Sequence, residues 1–110
     1  DQYEPKLLIH QFIQSLRMRN CSERTIRSWD YVVRRFVNWC SERGIQFMEE
    51  VTHDHLAAYR RHLFHYRNPK TGNALKFDTQ AHYLTPVRRW FRWMKDQSII
   101  ENNPADNLEL

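Results

Sequence analysis

The apolar residues of segment 23–43 recur every three or four positions, and this spacing constrains the fold more than any other feature. The residues concerned are Ile26, Trp29, Val33, Phe36, Val37 and Cys40. In an α-helix of about 3.6 residues per turn, side chains at this spacing share one face. Ser22 suits the N-cap position, and Gly44 suits the position just after the last turn. The sequence therefore predicts a helix over 23–43 that buries one face.

Three further segments, 4–19, 53–65 and 77–97, show the same spacing. Their apolar residues are Leu7, Leu8, Phe12 and Leu16 in the first, Leu56, Tyr59, Leu63 and a candidate Ala57 in the second, and Leu84, Val87, Phe91 and Met94, flanked by Tyr83 and Trp90, in the third. Residues 45–51 are predicted to form an extended connection, and residues 66–76, with their Asn-Pro and Gly-Asn pairs, a loop. Only two glycines and four prolines occur in 110 residues, which favours long elements. The prediction is one all-α domain with four main helices.

Pro86 interrupts the last of these patterns. Inside a helix, proline removes one backbone hydrogen bond and kinks the axis. The alternative is that Thr85 caps a fresh helix with Pro86 at its first position. We favour a single kinked helix over 77–97.

Composition argues against several classes of protein. No run of about 18 apolar residues occurs, so no membrane span is expected, and no signal peptide is visible. Cys21 and Cys40 are expected to be reduced thiols of a cytoplasmic protein. His62 and His65 share a helical face but lack a third ligand at a completing spacing, and no nucleophile or phosphate-loop motif occurs. We therefore expect no active site, metal, cofactor or small-molecule ligand in this chain.

Positive charge is concentrated in part of the sequence. Residues 51–95 carry nine basic and two acidic side chains, whereas residues 96–110 carry four acidic and no basic ones. The predicted second helix has a stripe opposite its apolar one, made of Arg24, Arg27, Tyr31, Arg34 and Arg35, and the last helix carries Arg88, Arg89, Arg92 and Lys95. Such clusters suit polyanion binding, although an ordinary solvated helix surface has the same composition.

The aromatic residues of the last helix leave a second function open. Trp90 and Phe91 are expected in the core. Trp93 lies opposite Leu84 around the helix, so it either faces a partner or packs on something outside this chain. The alternative function is a helical protein–protein interaction module without a nucleic-acid role. A helix-turn-helix regulator is disfavoured, because the connection over 44–51 is too long for the usual short turn.

Four sequence pieces in order resemble a known family. They are CSERTIRSW, FVNWCSERG, VTHDHLAAYRRHL and LTPVRRWFRWMKDQSIIENNPADNL, which together span most of the chain. Their order and gaps resemble the N-terminal, SAM-like core-binding domain of tyrosine recombinases, the Xer and phage-integrase family. Trp29 stands where the family usually has Tyr. The resemblance implies a SAM-like fold of four or five helices, with two helix pairs packed crosswise.

The resemblance also implies a function. In this family the domain forms half of a clamp around double-stranded DNA, and two of its helices, here the second and fourth, cross the major groove. The DNA-facing residues implied are Arg24, Thr25, Arg27, Ser28, Lys76, Thr79, Gln80, Tyr83, Arg88 and Arg89. Further implications are recombinase protomers as partners in a tetrameric synapse, and a bacterial or phage-derived protein associated with the nucleoid. The domain is expected over 1–107, with 108–110 leading into a linker and the catalytic residues beyond position 110, so that this fragment is not itself an enzyme.

The sequence departs from the family pattern in three places. The loop over 66–76 is longer than in compact members, Pro86 replaces a small helix former, and Lys76 replaces a Ser or Thr cap while adding a phosphate ligand. Arg88 holds the family's recurrent Arg position. It is expected either to buttress a phosphate contact or to form a structural ion pair.

Overall fold

The computed structural model describes residues 3–108 and contains four α-helices within that range. They are α1 (Pro5–Met18), α2 (Glu23–Glu42), α3 (His53–His65) and α4 (Phe77–Asp96). No strand occurs among the described residues, where Arg67 and Ala74 form an isolated antiparallel bridge. The predicted all-α fold with four main helices is confirmed, and each helix end lies within one residue of its predicted position.

The connection before α3 differs from the prediction. Met48–Glu50 form a short 3₁₀ helix and not an extended segment. Glu50 Oε1 accepts a hydrogen bond from the Phe47 N–H at 3.0 Å, and the Glu50 N–H donates to the Phe47 carbonyl at 3.0 Å. This reciprocal pair closes the turn and buries Met48, which is 1% exposed.

Side-chain caps fix the first turns of two helices. Ser22 Oγ accepts from the Thr25 N–H at 3.1 Å, and Thr52 Oγ1 accepts from the His55 N–H at 3.2 Å. His55 Nδ1 in turn accepts from the Thr52 N–H at 3.0 Å. A histidine therefore takes the place of the acidic residue that usually completes a capping box, and α3 begins at His53 because both otherwise unpaired N–H groups are satisfied.

α4 runs without a break through Pro86. The predicted single helix is confirmed, and the alternative helix start at Pro86 is wrong. Proline costs the helix one backbone hydrogen bond. Pro86 is nevertheless accommodated at a buried position within the continuous helix.

α2 is the central element of the fold. It packs against α1 and against α4, and α3 packs against α4. Phe36 of α2 meets the ring of Tyr59 on α3 edge-on at 4.9 Å between centroids, and that of Phe91 on α4 at 5.9 Å. These three buried rings join three helices in one core.

A few core positions differ from the prediction. Leu7 was predicted to be buried but is 45% exposed. Val32 and Trp39, which the predicted stripe omitted, are 0% and 5% exposed, because α2 lies between neighbouring helices that cover a wide arc of its surface. Trp90 was expected in the core at the edge of the α4 stripe, and this is confirmed, since it is 0% exposed.

Trp93 packs inside this chain. Its ring lies 5.8 Å from that of Phe12 on α1, and Phe12 also stacks on Trp29 of α2 at 6.3 Å. The alternative that Trp93 packs on something outside the chain is therefore wrong, whereas Trp93 is only half-buried and its partner-facing role stays a prediction.

The segment after α4 folds back onto the core. Ile100, Ala105 and Leu108 are 7%, 3% and 5% exposed. Glu109 and Leu110, part of the predicted linker, lie outside the described residues, and the boundary after 107 stays a prediction. Over residues 3–108, no helix combines the length and apolar character of a membrane span, and no three potential metal ligands are grouped.

Candidate nucleic-acid interface

The outward face of α2 carries a row of basic and polar side chains. The exposed members are Arg24, Arg27, Tyr31, Arg34 and Asn38. Their spacing of three or four residues places them on one side of the helix. Arg34 Nε donates to Asp30 Oδ1 at 3.0 Å, whereas Arg24 and Arg27 form no ion pair with a described acid. The two predicted arginines are therefore exposed and open to an external anion.

Thr25 belongs to the cap of α2. Ser22 Oγ donates to Thr25 Oγ1 at 3.0 Å and accepts from the Thr25 N–H. Thr25 is half-buried. Its first contribution is thus to hold the start of the helix from which Arg24 and Arg27 project.

α2 and α4 meet at the surface where Ser28 faces His82. Ser28 Oγ lies 3.0 Å from His82 Nε2, a contact between residues 54 positions apart in the chain. Either atom donates, depending on the imidazole tautomer. The contact places the first turns of α2 beside the first half of α4. We call this point the α2–α4 junction.

Arg35 lies beside the junction between two tyrosine rings. Its guanidinium carbon is 4.7 Å from the centroid of Tyr83 and 5.2 Å from that of Tyr66. Such cation–π contacts orient a guanidinium without neutralising its charge. Tyr83, a predicted site residue, is half-buried and positions Arg35.

The start of α4 adds further polar groups. Lys76 is exposed at the N-cap position and makes no side-chain cap, and Thr79 lies one turn into the helix. The preceding loop is ordered by Asn68, whose Oδ1 accepts from the N–H groups of Lys70 and Thr71 at 2.8 and 3.3 Å. The loop and the helix start therefore present lysines from a fixed backbone.

Gln80 lies on a different side of α4. Its Nε2 donates to the Leu75 carbonyl at 3.1 Å, and its side chain lines a groove of about 600 Å³ that also contacts Phe64 and Leu84. Two helical positions correspond to about 200° of rotation, so Gln80 points away from the side that carries His82. The structure does not bring Gln80 to the junction. Through its hydrogen bond to the Leu75 carbonyl, Gln80 instead fastens the end of the 66–76 loop to α4.

Arg88 and Arg89 lie further along α4, about 100° apart around the helix, and both line one cavity with Asn103, Ala105 and Asp106. Arg89 follows His82 by seven residues, which puts it about 10 Å along the same side of the helix. It lines a cleft between α1 and α4. Arg88 is half-buried beside residues 103–106 and forms no ion pair with a described acid. Of the two roles predicted for Arg88, the structural ion pair is thus not seen within residues 3–108.

Two residues of this surface were not predicted. The first is His82, whose spacing of three from the predicted Thr79 places both on one helical face, and this signal could have identified it. Arg19 lines the same cleft as Arg89. No signal in the sequence marks it, because only the packing of α1 on α4 brings it there.

Burial shifts the pKa of two side chains on α3, Tyr59 and His62. The pKa of Tyr59 is raised to about 12 by burial, which outweighs the opposing effect of the Arg35 guanidinium. The pKa of His62 is lowered by burial and by the positive charges of Arg43 and Arg35. Both side chains are therefore neutral near pH 7, and the charge of the surface comes from arginine and lysine.

The fold and the junction define an all-α domain with a basic surface shared by two helices. The family described as "Phage integrase, N-terminal SAM-like domain" matches residues 8–101. The chain is 39% identical over 97 residues to tyrosine recombinase XerC 2 of Ralstonia nicotianae. It belongs to the family of phage-integrase N-terminal SAM-like domains.

A solved structure shows the same fold. The N-terminal domain of a phage integrase/site-specific recombinase from Haloarcula marismortui superimposes with a TM-score of 0.76 at 19% identity, over 94% of this chain and 93% of that one. The predicted SAM-like fold is thereby confirmed. The match to XerC 2 covers 88% of this chain and 28% of that protein, so this chain spans under a third of its relative.

Proposed function

We propose that this chain is the DNA-gripping domain of a site-specific tyrosine recombinase and that it holds a recombination half-site through α2 and α4. The observation that carries the proposal is the Ser28–His82 contact. This contact joins α2 and α4 into one surface of basic and short polar side chains. The family to which the chain belongs is described as a phage-integrase domain. No observation of comparable weight supports the protein-interaction alternative.

The surface suits the major groove in size and chemistry. That groove is about 12 Å wide and admits an α-helix. The available side chains are Arg24, Arg27, Ser28, Lys76, Thr79 and His82. Arginine and lysine neutralise phosphates and can also donate to guanine, and serine and threonine hydroxyls hydrogen-bond to phosphates or to base edges. Both kinds of contact are thus offered at the α2–α4 junction.

The remaining predicted residues take supporting roles in this proposal. Tyr83 orients Arg35, Thr25 holds the start of α2, and Gln80 holds the start of α4. Arg88 and Arg89 are proposed to contact backbone phosphates further along the duplex.

The whole protein is proposed to be the recombinase. XerC 2 is named as a tyrosine recombinase, and this chain matches 28% of it. The residues that cut and rejoin DNA would then lie in another part of the protein. Its partners would be double-stranded DNA and further recombinase protomers in a tetrameric synapse, which would place it on the nucleoid.

Fluorescence-anisotropy titration of a labelled duplex at a series of salt concentrations tests the proposal. Affinity should fall with salt, with a log–log slope of about −0.9 for each phosphate neutralised. Arg24→Gln and Arg27→Gln should each weaken binding to all sequences and reduce that slope by about one.

The matched control is Arg61→Gln. Arg61 is exposed and lines the groove between α3 and α4, away from the junction. Its loss removes the same charge and should leave affinity nearly unchanged. Absence of binding to any duplex at low salt would reject the proposed function.

A further inference from the structure

Three arginines from two helices line one small cleft. Arg19 at the end of α1 and Arg89 and Arg92 of α4 surround a cleft of about 210 Å³. All three side chains are exposed, and none forms an ion pair with a described acid. Asp96 is the acidic residue among those that line the cleft. The cleft therefore has a clear excess of positive charge.

Helix stability explains this grouping only in part. Arg19 is the C-cap residue of α1, where a positive charge is favourable near the helix C-terminus. Arg89 is inside α4 and gains nothing of that kind, and Arg92 makes no ion pair with Asp96 one turn later. Like charges held close together repel each other. An anion between them would turn this repulsion into attraction.

The lining of the cleft indicates which anion fits. Guanidinium groups bind phosphate through two parallel hydrogen bonds, so several arginines that line one cleft are well suited to it. The half-buried Trp93, which packs on the buried Phe12, provides an apolar surface that a sugar can contact. The volume is below the roughly 300–1,000 Å³ of sites that enclose a small molecule. It suits one phosphate with its adjoining sugar and is too small for a whole nucleotide ligand.

The position of the cleft connects it to the α2–α4 junction. Arg89 lies about 10 Å beyond His82 on the same side of α4, a distance equal to about three steps of 3.4 Å along one DNA strand. Arg19 precedes Arg24 of the outward α2 face by five residues across the α1–α2 turn. A duplex lying on the junction would thus run past the cleft.

We propose that the α1–α4 cleft binds one backbone phosphate of DNA about three base pairs from the α2–α4 junction, with Arg19, Arg89 and Arg92 as its ligands. The inference rests on the proposed function. It adds α1 to the DNA-contacting elements and extends the contact along the strand.

The test compares two double variants of equal charge in the salt titration. Arg19→Gln/Arg92→Gln removes two cleft arginines. Lys6→Gln/Arg61→Gln removes two exposed charges that do not line the cleft. The cleft variant should bind a duplex about tenfold more weakly at fixed salt, and its slope should fall by about one, as expected for the loss of one phosphate. Equal affinities and slopes for the two double variants would overturn the inference.

A second measurement separates the DNA backbone from free phosphate. Inorganic phosphate should raise the melting temperature of the wild-type chain above its value in chloride of equal ionic strength, and this rise should be smaller in the cleft variant than in the control. The same rise in all three proteins would overturn the cleft as an anion site. A rise specific to the cleft, with duplex binding equal in both variants, would show a free-anion site and overturn the DNA contact.

Failure of the proposed function gives a different result. In that case the wild-type chain binds no duplex at low salt, and the proposed contact of the α1–α4 cleft with DNA is rejected together with the proposed function. If the wild type binds DNA and the cleft variant binds as tightly as the control, only the cleft inference fails.

Discussion

Cys40 and Cys21 show how burial sets the chemistry of single residues in this domain. Cys40 is 0% exposed in the core. Burial raises the pKa of its thiol to about 12, against the opposing effect of the Arg43 charge. Cys21 is half-buried at the turn between α1 and α2. Neither forms a disulfide.

The two thiols should therefore differ in reactivity. The thiolate is the reacting form, and with a pKa of about 12 only about one Cys40 thiol in ten thousand is ionised at pH 8. Iodoacetamide at pH 8 should modify Cys21 first. Mass spectrometry should then find one adduct in the folded chain and two in concentrated urea.

The Cys21→Ser variant is the control for this experiment. It should stay unmodified while folded and gain one adduct on unfolding. Modification of Cys40 in the folded chain as fast as of Cys21 would contradict its burial.

At the residue scale, His82 and Arg35 both show that packing sets the orientation of a side chain. The side chain of His82 becomes part of the surface through Ser28, and that of Arg35 through Tyr66 and Tyr83. These partners are distant in sequence. Residue type alone therefore gave charge and hydrogen-bonding capacity, and packing supplied the orientation.

At the element scale, helix boundaries follow from local chemistry. Caps at Ser22 and Thr52 and breaking residues such as Gly44 act within one turn of the chain. That is why every helix end was predicted to within one residue. The sequence patterns did not predict the turn at Met48–Glu50. This turn depends on a hydrogen bond from the Phe47 N–H to the Glu50 side chain, which no simple sequence pattern indicates.

Removing a cap should weaken the fold by a predictable amount. Thr52→Ala leaves the His55 N–H without its acceptor and should lower the free energy of unfolding by about 1 kcal/mol. Urea denaturation followed by circular dichroism measures the change.

Ser41→Ala is the comparison for the cap variant. Ser41 is exposed in the last turns of α2, and alanine favours a helix more than serine does, so stability should stay equal or rise slightly. Equal effects of the two substitutions would show that the Thr52 cap contributes nothing.

At the scale of the whole molecule, the acidic segment after α4 folds back beside the arginines of α4, and Asp106 lines one cavity with Arg88, Arg89 and Arg92. The basic side chains of 51–95 lie on the folded helices and their loop, while the acidic segment after α4 is fastened by Ile100, Ala105 and Leu108. Apolar burial holds that segment in place. The acidic side chains Glu101 and Asp106 remain exposed, away from the core.

Leu108 should accordingly contribute to global stability. It is 5% exposed, and Leu108→Ala should lower the free energy of unfolding by about 2 kcal/mol or more, from lost burial and the cavity left behind. Chemical denaturation of the purified chain measures this loss. Leu7→Ala makes the same substitution at a site that is 45% exposed and should cost well under half as much.

The comparison also tests the predicted domain boundary. Equal stability of the two leucine variants would agree with a domain that ends at 107. A larger loss for Leu108→Ala would move the end of the domain to include residue 108.

The sequence by itself determined the four helices, most of their buried faces and the family, because helical spacing, caps and breakers act over a few residues. Only the tertiary structure decided which side chains share a surface. It turned Trp93 inward onto Phe12, separated Gln80 from the junction and brought Arg19 to Arg89. The physical reason is that the packing of one helix on another is set jointly by side chains far apart in the chain, and the spacing within a single helix does not record its partner.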